Sequence, residues 1–283
     1  MPTCLFCKTN NEEQFSKEEH IVPESLGNTA YVLPKGIVCD KCNAYFSKLE
    51  NYFCHNHLAS AHKLISRHKT KKGKPPFLPL QAGEMRQDKT GKINFKQSLI
   101  QGMEHEQFTI TFFEEDVAIR MVWPLPDTDS KKISRFLAKA GIETLSLKMN
   151  AFAFEKKFDF VRNYARFGSK KVFIPFLWSN QPRESIDLFI GTFESRNKGK
   201  FFFGTLFLPH IVYLIPLNRA HDVYMLNIIR DSLKFAGNSL NLCADECFIK
   251  REPIELMAHF SKDVGREQNK KNGAPKNKRA GTF

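Results

Sequence analysis

An acid–histidine step, Glu19-His20, stands between two Cys-x2-Cys pairs, Cys4/Cys7 and Cys39/Cys42. Each pair forms a tight knuckle that aims two sulfurs at one point. Two knuckles brought together offer the tetrahedral S4 set that zinc prefers. With sulfur in all four positions such a metal has no open coordination site, so the expected role of Zn2+ is structural. The first ~65 residues would be marginal on their own apolar surface, and a structural zinc contributes on the order of 10 kcal/mol or more to folding. A staple of this kind has no use for a carboxylate and an imidazole side by side. Histidine, with a pKa near ~6.5, suits proton transfer at neutral pH. A carboxylate oxygen is a hard ligand suited to Mg2+ or Mn2+. Neighbours on a strand point to opposite faces, so Glu19 and His20 can address different parts of one reaction.

The elements that must position these groups are short. An extended run ends near His20-Ile21-Val22, Pro23 follows, and Gly27-Asn28 marks a turn. "YVLPKGIVC" is expected to return as a second short strand around Gly36–Val38. After Cys42, the residues Tyr45, Phe46, Leu49, Tyr52 and Phe53 recur at helical spacing. The predicted helix covers residues 43–67, and the order is strand, loop, strand, helix.

With the residues Cys4, Cys7, Glu19-His20-Ile21-Val22-Pro23, Gly27, Cys39, Cys42 and Asn43, this order resembles the HNH endonucleases, the ββα-metal nucleases, in their zinc-bearing form. The resemblance is confined to the N-terminal region. It implies metal-dependent hydrolysis of phosphodiester bonds, most readily of double-stranded DNA. His20 would be the general base that takes a proton from water. Glu19 and Asn43 would hold a catalytic Mg2+ or Mn2+, Asn43 standing where the family name implies a second histidine. The middle asparagine, which braces the loop in the family, has no clear match, because "LPKGIVC" carries Pro34 and Gly36 there. Such proteins serve in restriction, anti-phage defence or mobile elements.

The remaining features are compatible with that expectation. A formal net charge of +13 and a pI near 9.4 attract polyanions. No apolar run is long enough for a transmembrane helix, and the N-terminus lacks the apolar core of a secretory signal. A cytoplasmic setting is expected, in which the seven cysteines stay reduced and serve as metal ligands rather than disulfides. Arg67, Lys69, Lys71, Lys72 and Lys74 are candidates for holding a nucleic-acid backbone. Glu50 could add a metal ligand, whereas Cys54, His55, His57 and His62 lack a complementary pair of ligands nearby.

The expected class is α+β, in four parts. Residues 1–67 form the zinc-stapled ββα-metal module, 68–80 a basic linker, 81–261 a larger mixed α+β domain, and 262–283 a disordered basic tail. Within the third part, 107–123 is expected as strand, bend, strand; 127–150 and 155–168 as helices; and 171–178, 185–193 and 200–218 as extended segments whose phenylalanines form core. Cys243 and Cys247 would share a helix face. Two other readings remain open: a zinc ribbon that binds nucleic acid without cutting it, and an RNA-directed nuclease. A cutter with two-fold symmetry would require a homo-oligomer, for which no interface can be read.

Overall fold

The computed structural model describes residues 1–55, 57–65, 73–74, 77–80, 83–88, 93–97, 108–112, 116–123, 127–168, 172, 174, 176–179, 185–195, 199–209, 211–219, 240–243 and 254–261. Helices and sheets are both present, and the class is α+β. The chain divides into two compact units, Met1–Gln101 with Leu125–Glu252, and Gly102–Pro124 with Pro253–Phe283.

The first unit begins with a two-residue ladder of β1 (Glu19–His20) and β2 (Val32–Leu33), antiparallel, with Glu19 opposite Leu33 and His20 opposite Val32. The second strand thus precedes Gly36–Val38 rather than covering it. Pro34 has no amide hydrogen to extend the ladder. Gly36 takes φ 97°, a left-handed turn that leads into the second cysteine knuckle.

Helix α1 (Asp40–His55) starts inside that knuckle and α2 (His57–Ile65) follows. The single helix expected over 43–67 is therefore two. Lys63 of α2 reaches back to donate to the Cys54 carbonyl at 2.6 Å, satisfying an acceptor at the end of α1. At the other end, Asp40 accepts from the Ser16 hydroxyl at 2.8 Å and from the amides of Ser16 and Lys17. That contact ties the segment before β1 to the start of α1.

Helix α3 (Asp127–Lys148) is the central support, followed by α4 (Asn150–Ala153) and α5 (Asp159–Phe167). Ile133, Phe136, Leu137 and Ala140 form its buried stripe, as their spacing predicts. Phe53 of α1 stacks on Phe136 with centroids 4.4 Å apart and meets Tyr213 edge-on at 5.8 Å. Fully burying each of these rings contributes about 1.5–3 kcal/mol. Arg135 donates to the Tyr45 hydroxyl and to the carbonyls of Ala165 and Arg166, closing the C-terminal end of α5 beside Gly168. Buried Arg162 gathers the carbonyls of Ala153, Phe154 and Glu155 together with the Asp159 carboxylate, holding the turn between α4 and α5.

Two sheets complete this unit. Strands β3 (Phe77–Leu80), β4 (Gly83–Gln87) and β5 (Ile93–Gln97) make an antiparallel meander, with β3 at the end of the basic segment. Strands β8 (Phe176–Ser179), β9 (Asp187–Ser195), β10 (Gly199–Phe207), β11 (Ile211–Pro216) and β12 (Leu240–Cys243) form a five-stranded sheet in the order β12-β8-β11-β10-β9. The run expected over 200–218 is broken at Leu208, whose amide donates to Ile211 at 2.7 Å in the turn that contains Pro209. Phe201, Phe202 and Phe207 are core, whereas Phe189 is exposed. Cys243 lies on a strand, not a helix, and Cys247 is outside the described residues.

In the second unit, β6 (Phe108–Phe112), β7 (Asp116–Trp123) and β13 (Ile254–Ser261) form an antiparallel sheet ordered β13-β7-β6. The expected strand, bend, strand of 107–123 is the β6–β7 pair, with Phe108 opposite Met121. The tail, 262–283, lies outside the described residues.

Candidate active site

The first knuckle is closed by the Cys4 amide on the Thr9 carbonyl at 2.8 Å and the Lys8 amide on the Cys4 carbonyl at 3.1 Å. The Leu5 amide donates to the Ile37 carbonyl at 2.8 Å and carries the first knuckle onto the second. The sulfurs of Cys4, Cys7, Cys39 and Cys42 then lie within 4.8 Å of one another. Cys4 falls to about 4 because the Cys42 thiol hydrogen-bonds to its sulfur, which favours thiolate. Burial pushes Cys39 up to about 11, and the hydrogen bond to Cys4 drives Cys42 up as well. Four sulfurs so close cannot all ionise without a cation among them, and four thiolates are the set that zinc takes. Among the described residues this is the one group of three or more Cys, His, Asp or Glu whose ligand atoms lie close enough together to hold a metal ion.

His20 and Glu19 diverge from β1. The His20 ring is 37% exposed, and its Nε2 lies 3.4 Å from Glu24 Oε1. Its Nδ1 is buried with no hydrogen-bond partner among the described residues, so the nitrogen open to solvent is Nε2. Glu24 sits in the 3-10 turn Glu24–Leu26 that follows Pro23, which places its carboxylate four residues on from His20. Glu19 points inward and is buried. Its Oε1 lies 2.5 Å from the Lys139 ammonium of α3, and its Oε2 is buried without a hydrogen bond among the described residues. The same ammonium meets Glu50 at 2.9 Å and Glu143 at 3.1 Å, and it donates to the His20 carbonyl at 2.8 Å. Burial alone would lower Lys139, but Glu143, Glu19 and Glu50 more than offset it and hold it well above the ordinary lysine value. Burial raises Glu143 well above the carboxylate range.

Asn43, on the first turns of α1, donates from Nδ2 to the Glu18 carbonyl at 3.1 Å. That bond anchors α1 to the residue before β1. Its Oδ1 makes no hydrogen bond among the described residues. Asn28 does the bracing for which the sequence offered no match. It is buried; its Nδ2 donates to the carbonyls of Val22 and Tyr31 at 2.6 and 3.2 Å, and its Oδ1 accepts from the amides of Ala30 and Tyr31. The brace comes earlier than expected, directly after Gly27 at φ 95°.

Residues 4–58 match the HNH endonuclease family model. The likeness is to a family of nucleases and covers about the first fifth of the chain. No curated protein and no solved structure matches the chain. Among the described residues no helix is long and apolar enough to cross a membrane.

Within the HNH segment, β1, the Asn28 loop and α1 bring Glu19, His20, Glu24, Asn43 and Glu50 to one neighbourhood. Cys54 is buried beside the Ser25 hydroxyl at 3.2 Å, and His62 is buried near the Leu26 carbonyl. His55 turns its Nδ1 to the Asn51 carbonyl at 2.7 Å. These contacts employ Cys54, His55 and His62 in packing and helix ends. Lys74 is exposed, and Arg67, Lys69, Lys71 and Lys72 lie outside the described residues.

Three residues beside the site escaped the sequence reading. Glu24 could have been found from its four-residue spacing to His20 in "HIVPE". Asn28 could have been found from the Gly-Asn step. Lys139 carried only one signal, a lysine set inside the apolar stripe of α3 with Glu143 four residues on.

Proposed function

We propose that the chain is a metal-dependent endonuclease that hydrolyses phosphodiester bonds in DNA. The observation that carries this reading is His20, presenting Nε2 to solvent beside Glu24 while Glu19 on the other face keeps a buried, unpartnered Oε2. A buried carboxylate oxygen without a hydrogen bond is costly unless something else binds it. The donor chemistry fits a hard divalent cation that keeps several waters: Glu19 Oε2 and Asn43 Oδ1 would hold it. A bound Mg2+ or Mn2+ supplies charge neutralisation at the phosphate and the leaving oxygen.

His20 acts as general base at Nε2, taking the proton of the attacking water. The Glu24 carboxylate beside that nitrogen stabilises the imidazolium so formed. The four cysteines hold Zn2+ as a staple, with no open site for chemistry. Arg67, Lys69, Lys71, Lys72 and Lys74 hold the phosphate backbone, in keeping with the net charge of +13. A cytoplasmic setting and a role in restriction or anti-phage defence fit these parts.

The test is incubation of zinc-loaded protein with supercoiled plasmid and Mn2+ or Mg2+, beside His20→Ala. The wild type is expected to nick or linearise the plasmid, and His20→Ala to lose about 100-fold or more in rate, the usual contribution of general-base catalysis. Equal cutting by both removes His20 from the mechanism. Binding without cutting returns the chain to the class of non-catalytic zinc ribbons, and preferential cutting of RNA reassigns the substrate.

A further inference from the structure

The family match ends at residue 58, yet the groups around β1 do not. Lys139 comes from the middle of α3, far along the chain, and its side chain is fully buried. It touches both halves of the Glu19-His20 step: the ammonium lies 2.5 Å from Glu19 Oε1 and donates at 2.8 Å to the His20 carbonyl. A third contact, 2.9 Å to Glu50 Oε1, fixes α1 against the same point. The fourth, 3.1 Å to Glu143, lies within α3 itself. One cation thus clamps the strand bearing the proposed base, the helix bearing Asn43, and the carboxylate proposed to bind metal. With Oε1 held by the ammonium, Glu19 has one oxygen left, Oε2, which is buried and has no hydrogen-bond partner among the described residues.

We infer that Lys139 is a positioning residue of the nuclease site, supplied from outside the HNH segment, which fixes Glu19 with Oε2 presented to the divalent cation and fixes the backbone of His20. This inference rests on the function proposed above. Being buried, Lys139 does not touch substrate; it acts through Glu19 and His20. The site is then shared between the N-terminal segment and α3, and the N-terminal segment alone does not hold it in working geometry. Groups that orient metal ligands typically change metal affinity or activity by about 10–100-fold when removed.

The experiment uses full-length, zinc-loaded protein and two variants, Lys139→Met and Lys139→Met/Glu143→Leu. The second also removes the carboxylate facing the lysine on α3, so that the helix is not left with an unpaired buried acid. Thermal melts and zinc content establish folding. Binding of Mn2+ alone is measured by the electron paramagnetic resonance of the free ion, and plasmid nicking is followed at saturating Mn2+ with His20→Ala in parallel. The expected result is a folded variant with full zinc, Mn2+ affinity weakened by about 10–100-fold, and nicking reduced even at saturating Mn2+. A purely structural role would lower the amount of folded protein and leave the Mn2+ affinity of the folded fraction alone. Unchanged Mn2+ affinity in a folded variant overturns the inference, whether or not plasmid is cut. Failure of both variants to fold overturns it too, since the lysine would then serve the fold and not the site. A wild type that binds Mn2+, loses it on Lys139→Met, and cuts no nucleic acid would sink the nuclease reading while sustaining Lys139 as the organiser of the metal site.

Discussion

Asn28 shows how one side chain sets the geometry of a loop. Its amide satisfies two carbonyls and two amides of the segment between β1 and β2 at once. Buried backbone groups left without partners cost about 1–3 kcal/mol. Asn28→Ala is expected to lose about that much stability, read as a lower melting temperature, and to lower plasmid cutting further through the displaced His20. An unchanged melt would mean that water replaces the amide and that the brace is dispensable. At this same scale lies the contrast between Glu19 and His20. The alternation of a strand separates them, as the sequence indicates, but which face is buried depended on Lys139.

At the scale of elements, α3 holds the arrangement together, because α1 packs on one side of it and β10 and β11 on another. The close approach to the sheet is made by glycine. A Cβ added at Gly141 would lie 2.6 Å from Ile215 Cγ2, and one added at Gly204 would lie 3.3 Å from the Gly141 Cα. Gly141→Ala should improve helix propensity, yet overpacking here is expected to win by about 1–3 kcal/mol. Chemical denaturation would register this as a lower midpoint with unchanged slope. A midpoint at or above that of wild type would show that Ile215 and Leu217 can move aside.

For the first unit as a whole, the cysteine cluster and the α1–α3 interface share one core. Phe46 meets Phe6 of the first knuckle at 4.4 Å, and Phe53, two turns further along α1, stacks on Phe136. Loss of the metal should therefore reach beyond the knuckles. Stripping zinc with a strong chelator is expected to lower the melting temperature and to abolish cutting that Mn2+ alone does not restore and added zinc does. Acid should act in the same direction, because metal binding requires thiolates and protons compete for them. Activity that survives complete removal of zinc would show that the staple is not needed for the site.

Local chemistry was open to sequence reading, because each such feature is written within a few residues. The cysteine knuckles need only their x2 spacing, the β6–β7 hairpin only its alternation, and the apolar stripe of α3 only its 3.6-residue period. The four-cysteine cluster, the α+β class and the HNH likeness were legible for this reason. The second strand was misplaced by a few residues, since a two-residue ladder leaves almost no periodic signal and Pro34 and Gly36 act through turn geometry. The role of Lys139 could not be read from its one signal: an ammonium in the apolar stripe of α3 makes sense only once Glu19, Glu50 and the His20 carbonyl arrive from elsewhere in the chain. The residue types that could do the chemistry were set by sequence. Which of their atoms are buried, paired or left open was decided by tertiary packing, because burial and charge pairing depend on neighbours that are distant along the chain.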